Sequence, residues 1–290
     1  MLRLHESEST PDAARAGAAL NGTSHQPPRG YFERLRDVER RHWWCRSVRR
    51  VALGRLGALP GARPVVLDVG CGAGGFLSDL ERRRPAARCF GADFSGEALA
   101  LARSGLSSRS IRLLRASAAE LPVAAGSADA VVLHDVLQHL PPGDDARALS
   151  EAHRVLRPGG LLSLRTNIGP STSTSTSSEL GSASLHRRYA PAAIARLVGS
   201  AGFDVEKHIV LHPLAALLGR FRRSNRAISN SHSGTAGELA MTVPSAFVNR
   251  AMDLYSRIED AVVARLPVSA TGDAQLLFAR KPLRLRSDSK

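Results

Sequence analysis

The stretch "VVLDVGCGAGGFL", Val65 to Leu77, places a carboxylate two residues ahead of a run of glycines at the end of an apolar segment. Gly70, Gly72 and Gly75 fit GxGxxG, a dinucleotide loop, while Gly70, Gly72 and Gly74 fit GxGxG, a loop that holds S-adenosylmethionine. Glycines serve both ligands, because the backbone must turn sharply and approach the ligand without a Cβ between them. Asp68 separates the two. A carboxylate beside the loop repels a pyrophosphate and attracts a sulfonium or ammonium, and two unit charges 4 Å apart interact by about 4 kcal/mol at intermediate dielectric. Asp93 ends a second apolar run, 19 residues beyond Gly74, where an acid accepts both ribose hydroxyls of either ligand. The bland readings are that Asp68 bonds the amides of the turn and that Asp93 caps a helix, although Ser95 is the better cap.

A methyl sulfonium is already activated, so a protein that moves its methyl group must chiefly align the reactants. A base is required only where the nucleophile must lose a proton. Three histidines and, less simply, Tyr189 are candidates. His134 ends a fourth apolar run, at the sheet edge where α/β proteins bind ligands. His139, in "DVLQHL", is equally readable as a loop-holding group. His42 precedes Trp43 and Trp44, which could pack a lid or cover a flat substrate. Arg46 or Arg49, in "RSVRR", could reach a ligand carboxylate, and Asp135 and Tyr189 are candidate substrate contacts. No metal site is expected, since Cys45, Cys71 and Cys89 form no C-x-x-C pair.

The elements that must position these residues alternate between strand and helix. Strands are predicted at 64–69, 88–93, 111–116, 128–135 and 161–167, with helices over 73–84, after Ser95 and through "ALSEAHRV". That alternation is the pattern of a doubly wound parallel sheet. Ahead of it lie a tail at 1–29, expected to be disordered, and a helical lid at 30–60. After a core at 61–168 come a low-complexity Ser/Thr loop at 169–184 and the rest of the core at 185–223, which holds a helix at "APAAIARLVGSAGF" and a sixth strand at "DVEKHIVLH". A linker at 224–244 leads to a C-terminal unit at 245–283. There Phe247, Ala251, Leu254, Ile258, Val262 and Leu266 mark one amphipathic helix, and "DAQLLFARKP" a last strand.

The formal charge of +14 invites a nucleic acid, yet 37 of the 40 basic residues are arginine, they are scattered, and aromatics make up only 4% of the chain. An anionic small substrate or a membrane surface fits better, and "PLAALLGRFRR" at 213–223 could lie on such a surface or cover the sheet. No apolar run reaches the length of a membrane span. The cysteine usage and the lack of a secretory signal pattern point to the cytoplasm.

The segments "VLDVGCGAGGFL", "GADFSGEAL", "ASAAELPVAAGSADAVVLHDVLQHL" and "LRPGGLLSL" resemble, in order and spacing, the motifs of the class I S-adenosylmethionine-dependent methyltransferases over roughly residues 63–167. His42-Trp43-Trp44, Arg187-Arg188-Tyr189 and Ala201-Gly202-Phe203 extend the likeness to a type 11/12-like subgroup with an N-terminal HWW helix. The resemblance implies an α/β, Rossmann-like, doubly wound seven-stranded sheet with its last strand antiparallel, an N-terminal helical lid and C-terminal helical additions. It implies S-adenosyl-L-methionine as cofactor. Asp68, Gly70, Cys71, Gly72, Gly74 and Arg46 would hold its amino-acid end, Asp93 the ribose, and Phe94, Ser117 and Ala118 the adenine, with His134 and Asp135 along the cleft. Ser117 stands where the family often has an acid. The expected activity is methylation, most simply at oxygen, of a small or lipid-linked acceptor. Two alternatives remain at this point: a nicotinamide-dependent oxidoreductase, opposed by Asp68 and "LRPGG", and a methyltransferase-like protein that binds without catalysis. "LHDV" after the fourth strand lacks the Pro-Pro-aromatic pattern of base methylation, so nucleic acid is not the expected partner. Oligomeric state is not legible.

Overall fold

A computed structural model describes residues 30–107, 110–169, 173–177, 184–212, 243–263 and 274–283. The tail at 1–29, the apolar-basic segment at 213–223, nearly all of the linker at 224–244 and Leu266 lie outside the described residues.

Two helices come first, α1 (Tyr31–Arg41) and α2 (Trp43–Gly57), where the sequence pattern reads as one. The break is at His42, whose extended backbone and ring Nδ1, accepting from the Trp44 amide, make it the cap of α2. The core follows as β1 (Val65–Val69), α3 (Gly75–Arg83), β2 (Arg88–Asp93), α4 (Gly96–Gly105), β3 (Arg112–Arg115), β4 (Ala128–His134), α5 (Asp144–Val155) and β5 (Leu156–Asn167). Ser95 caps α4 as its side chain predicts, accepting from the Ala98 amide at 3.2 Å. Then come β6 (Ser173–Ser177), β7 (Ser184–Arg188), α6 (Pro191–Ser200), β8 (Asp204–Leu211), α7 (Ala246–Val263) and β9 (Ala274–Arg280).

Seven strands form one sheet in the order β3-β2-β1-β4-β5-β9-β8, with β9 antiparallel to both of its neighbours. This is the expected doubly wound sheet with an antiparallel last strand. Strand order reverses between β1 and β4, so the C-terminal ends of β1, β2 and β4 open on one crevice, the place where such sheets take ligands. β5 is longer than predicted. It begins at Leu156, and the register slips between Ala128 and Ala130, which leaves "RPGG" as an irregularity inside the strand. The Ser/Thr tract, predicted as a loop, supplies β6, which pairs with β7 in a separate two-stranded sheet. Alternating threonines favour extended backbone, which composition alone does not reveal.

Each face of the sheet is covered. Leu149, Val155, Ile194 and Val198 of α5 and α6 pack on one side, and Ala52, Leu56, Leu77 and Leu80 of α2 and α3 on the other. A fully buried leucine of this kind contributes about 1.5–3 kcal/mol. α7 departs from the usual rule that an amphipathic helix buries its apolar stripe. Its polar face, with Asp253, Ser256 and Glu259 buried, lies inward, and the predicted apolar stripe is exposed.

Candidate functional site

The crevice at the C-terminal ends of β1, β2 and β4 is built around the glycine loop. Gly70 has φ +74°, and a Cβ there would collide with the Val136 side chain. Gly72 has φ +52° with open space where a Cβ would stand, so the loop is bare toward the crevice at that residue. Its N–H donates to Asp93 Oδ2 at 2.8 Å, and Asp93 Oδ1 accepts from the Ser95 amide at 2.8 Å. Asp93 therefore ties β2 to the loop while each oxygen keeps a second lone pair for a ligand. Phe94, next along, has one flank covered by the Arg115 guanidinium, 5.6 Å from its ring centre, and is otherwise largely exposed.

Asp68 is buried at the head of the loop and forms no ion pair among the described residues. Burial first, and then the carboxylates of Asp93 and Glu39, push its pKa well above the usual carboxylate range. A cation placed here relieves all three carboxylates at once. Glu39 of α1 reaches the crevice from the other side, its carboxylate poised over Gly75 at the start of α3. Burial raises its pKa, and Arg49 and Arg165 oppose that rise. Arg165 of β5 is buried, pairs with Asp135 and lies 4.2 Å over the Trp44 ring. Its pKa is lowered to about 10, chiefly by burial. Asp135 holds φ +60°, a left-handed conformation that a non-glycine residue adopts at a cost of about 1–3 kcal/mol. Asp135 Oδ1 and Arg165 Nε are both buried without a hydrogen-bond partner among the described residues. Strain and unsatisfied polar atoms meet beside the bare glycine loop, and the crevice fits a ligand with a cationic centre and further polar groups.

Other predicted residues serve different ends. His134 Nε2 bonds Ser163 Oγ at 2.9 Å, and its ring packs edge-on against Phe76. Burial, and then Arg165, lower its pKa to about 3, so it is neutral and a poor base near neutral pH. His42 is committed to capping α2. His139 is exposed on the 3₁₀ turn Leu137–His139, beside Gln138. Tyr189 is buried, donating to Asp145 Oδ2 at 3.0 Å, and Arg187 pairs with the same oxygen at 2.8 Å. The "RRY" motif thus pins the segment after β4. Trp43 is buried against His212, and only Trp44 of the pair reaches Arg165. Arg46 turns to Asp253 of α7 at 3.1 Å, and Arg49 takes its place near the loop. Gly74 faces Ala102 of α4 and Leu106 just beyond it, so the missing Cβ lets the loop pack against α4. Cys71 is buried, and its thiol pKa is raised by that burial and by Asp68. Ser117 Oγ accepts from the Ala119 amide at 3.2 Å, a local turn that does not replace the acid, and Ala118 is buried behind it. Sequence reasoning missed Glu39, Val136 and Arg165. Only Arg165 carried a signal, an ionised side chain inside the apolar run "LLSLRTN".

Comparison with known proteins agrees with this geometry. Residues 67–164 match a methyltransferase domain family model. A probable S-adenosylmethionine-dependent methyltransferase of Mycolicibacterium smegmatis is 33% identical over 173 residues, which span 58% of this chain and 62% of that protein. The trans-aconitate 2-methyltransferase of an Azoarcus species is 40% identical over 102 residues, 34% of this chain and 38% of that enzyme. The chain thus spans less than two thirds of these relatives. A Haloferax volcanii methyltransferase solved with its Trm112 activator shares the fold, with a TM-score of 0.54 at 20% identity over 85% of this chain and 92% of that one. Residues 67–164 thus carry a methyltransferase domain, similar to those of the class I S-adenosylmethionine-dependent methyltransferases, and S-adenosylmethionine is the cofactor to which its crevice is suited.

Proposed function

We propose that the protein transfers a methyl group to an anionic oxygen, most simply a carboxylate, of a small or lipid-linked acceptor, without a protein base. The observation that carries this reading is a buried guanidinium at the crevice, beside which His134 and His42 are both committed to structural bonds. His134 has a pKa of about 3 and bonds Ser163, and His42 is a helix cap. Tyr189 is buried against Asp145. Arg165, stacked on Trp44 and paired with Asp135, can exchange that partner for an acceptor carboxylate, which it would hold through two N–H groups.

Asp93, held in place by the Gly72 amide, takes the ribose side of the cofactor, and Asp68 draws its cationic centre into the crevice. When bound, S-adenosylmethionine supplies a methyl carbon that forms a bond to the acceptor oxygen as the carbon–sulfur bond breaks and its electron pair stays on sulfur. An ionised acceptor has no proton to lose, so alignment by Arg165, Trp44 and Asp135 is the protein's remaining contribution. The relative named for trans-aconitate, a tricarboxylate, supports the same acceptor class.

The test is a mass-spectrometric screen of carboxylic acids, phenols and amines with S-adenosylmethionine, scored for a gain of one CH₂. Ester formation on carboxylates, with kcat/KM falling roughly 10²-fold in Arg165→Met, is the expected result. Methylation confined to amines or carbon would overturn the oxygen assignment, and failure to bind S-adenosylhomocysteine would overturn the function.

A further inference from the structure

The rotation of α7 is fixed by its polar face. Asp253 pairs with Arg46 at 3.1 Å, Asp260 accepts from Ser47 Oγ at 2.8 Å, and Asn249 Oδ1 accepts from the Trp43 amide at 2.9 Å. These bonds to α2 turn the opposite stripe outward, leaving Phe247, Leu254 and Ile258 84%, 63% and 64% exposed, with Val262 on the same side. Arg250 and Arg257 stand along one flank of the stripe. Arg257 also lines a cavity of about 630 Å³ between α1, α2 and α3 that holds eight arginines and a single carboxylate, Asp79. Among the described residues Arg36, Arg40 and Arg83 of that lining have no carboxylate partner.

Several occupants compete for a face that is apolar on one side and cationic on the other. A second copy in a two-fold pair would bring the arginine cavities of both chains toward each other, which charge opposes. The chain's own apolar segment at 213–223 carries three arginines and is disfavoured for the same reason. A small soluble anion would leave the stripe unused. A bilayer of anionic phospholipid satisfies both halves, since exposed apolar side chains enter the acyl boundary while guanidinium groups meet the phosphates. We propose that this face, α7 together with the arginine cavity, docks the protein peripherally on an anionic phospholipid membrane. No helix among the described residues is long and apolar enough to cross one. Gly74 and Gly75 line the same cavity, so docking sets the glycine loop close to the lipid surface. The proposal does not depend on which atom is methylated.

The experiment is co-sedimentation of the full chain with vesicles of phosphatidylcholine, with and without phosphatidylglycerol, at low and high salt. Two double variants accompany it, Leu254→Ser/Ile258→Ser and Arg36→Gln/Arg83→Gln, whose folding is checked by circular dichroism and whose size is measured by gel filtration. All four positions lie outside the sheet core. Wild-type protein should bind only the vesicles containing phosphatidylglycerol, with binding weakened by salt and lowered roughly tenfold or more in each double variant. Absence of binding, or equal binding to pure phosphatidylcholine, overturns the proposal. So does unchanged binding in the stripe variant, which would mark a phosphate site only. A wild-type dimer that dissociates in the stripe variant would assign the face to a second copy instead.

Discussion

Asp68 and Asp93 do different work at one end of the sheet. Asp93 is tied to two backbone amides, so Asp93→Ala removes both the proposed ribose acceptor and the strut that shapes the loop. Calorimetry should find S-adenosylhomocysteine binding weakened by at least about 2 kcal/mol, since hydrogen bonds to a charged group are each worth roughly 1.5–3 kcal/mol. Asp68 is held above its unfolded pKa, so the folded protein binds a proton more tightly than the unfolded chain. Stability from this group is present below the unfolded carboxylate pKa and is lost as pH rises through the folded value. Asp68→Asn should therefore raise the melting temperature of the ligand-free protein at neutral pH while weakening cofactor binding, and thermal melts with and without ligand check both signs. His134 behaves oppositely. Its folded pKa of about 3 means its contribution is intact above the ordinary histidine pKa and fades as pH falls toward 3. His134→Ala should lower the melting temperature and leave the position of the pH–rate profile unchanged, whereas loss of the acidic limb, where a base becomes protonated, would restore it as the base. The placement of Asp68 and Asp93 at the crevice was readable in the sequence, because one stands two residues before the glycine loop and the other ends the second predicted strand. The fate of His134 was not, because it depends on Ser163 and Phe76, which come from other elements.

At the scale of elements, two polar connections hold the crevice in shape. Arg187 and Asp145 form a buried pair to which Tyr189 also bonds, and Arg187 donates in addition to the carbonyls of Leu140 and Pro141. Arg187→Met leaves Asp145 buried with its charge uncompensated. Denaturant titration should show a loss of about 3–5 kcal/mol. The second connection joins α2 to α7 through Asp253 and Asp260. Asp253→Asn with Asp260→Asn should speed amide exchange in α1, α2 and α7 before that of the central strands, because the latter are held by the sheet core. Strand and helix periods exposed nearly every core element in the sequence, since each such element buries one regular face. The break at His42 and the strand in the Ser/Thr tract escaped because the first rests on a single side-chain cap and the second on pairing with residues 184–188. The outward stripe of α7 escaped for a related reason. Hydrophobic period marks a two-sided helix, and the arginines of α2 decide which side faces in.

For the whole molecule, ligand and fold are linked by mass action. At a hundredfold excess over its dissociation constant, S-adenosylhomocysteine should add about 2.7 kcal/mol of apparent stability, and a reduced nicotinamide dinucleotide none. Differential scanning fluorimetry with the two ligands reads this directly, and a shift with the dinucleotide alone would revive the oxidoreductase reading. The sequence by itself determined the alternating elements of a doubly wound sheet, through local periodicity, and the class of cofactor, through a contiguous loop in which Asp68 and the glycines lie within a few residues of one another. The antiparallel direction of the last strand came only with the resemblance to the methyltransferases. Only the tertiary structure decided which residues meet at the crevice. Arg165 and Asp135 come from β5 and the end of β4, and Trp44 and Glu39 from the two N-terminal helices. The contacts that assign their roles are set by how helices and strands distant in the chain pack together, and burial and charge at those contacts depend on neighbours that no local stretch contains.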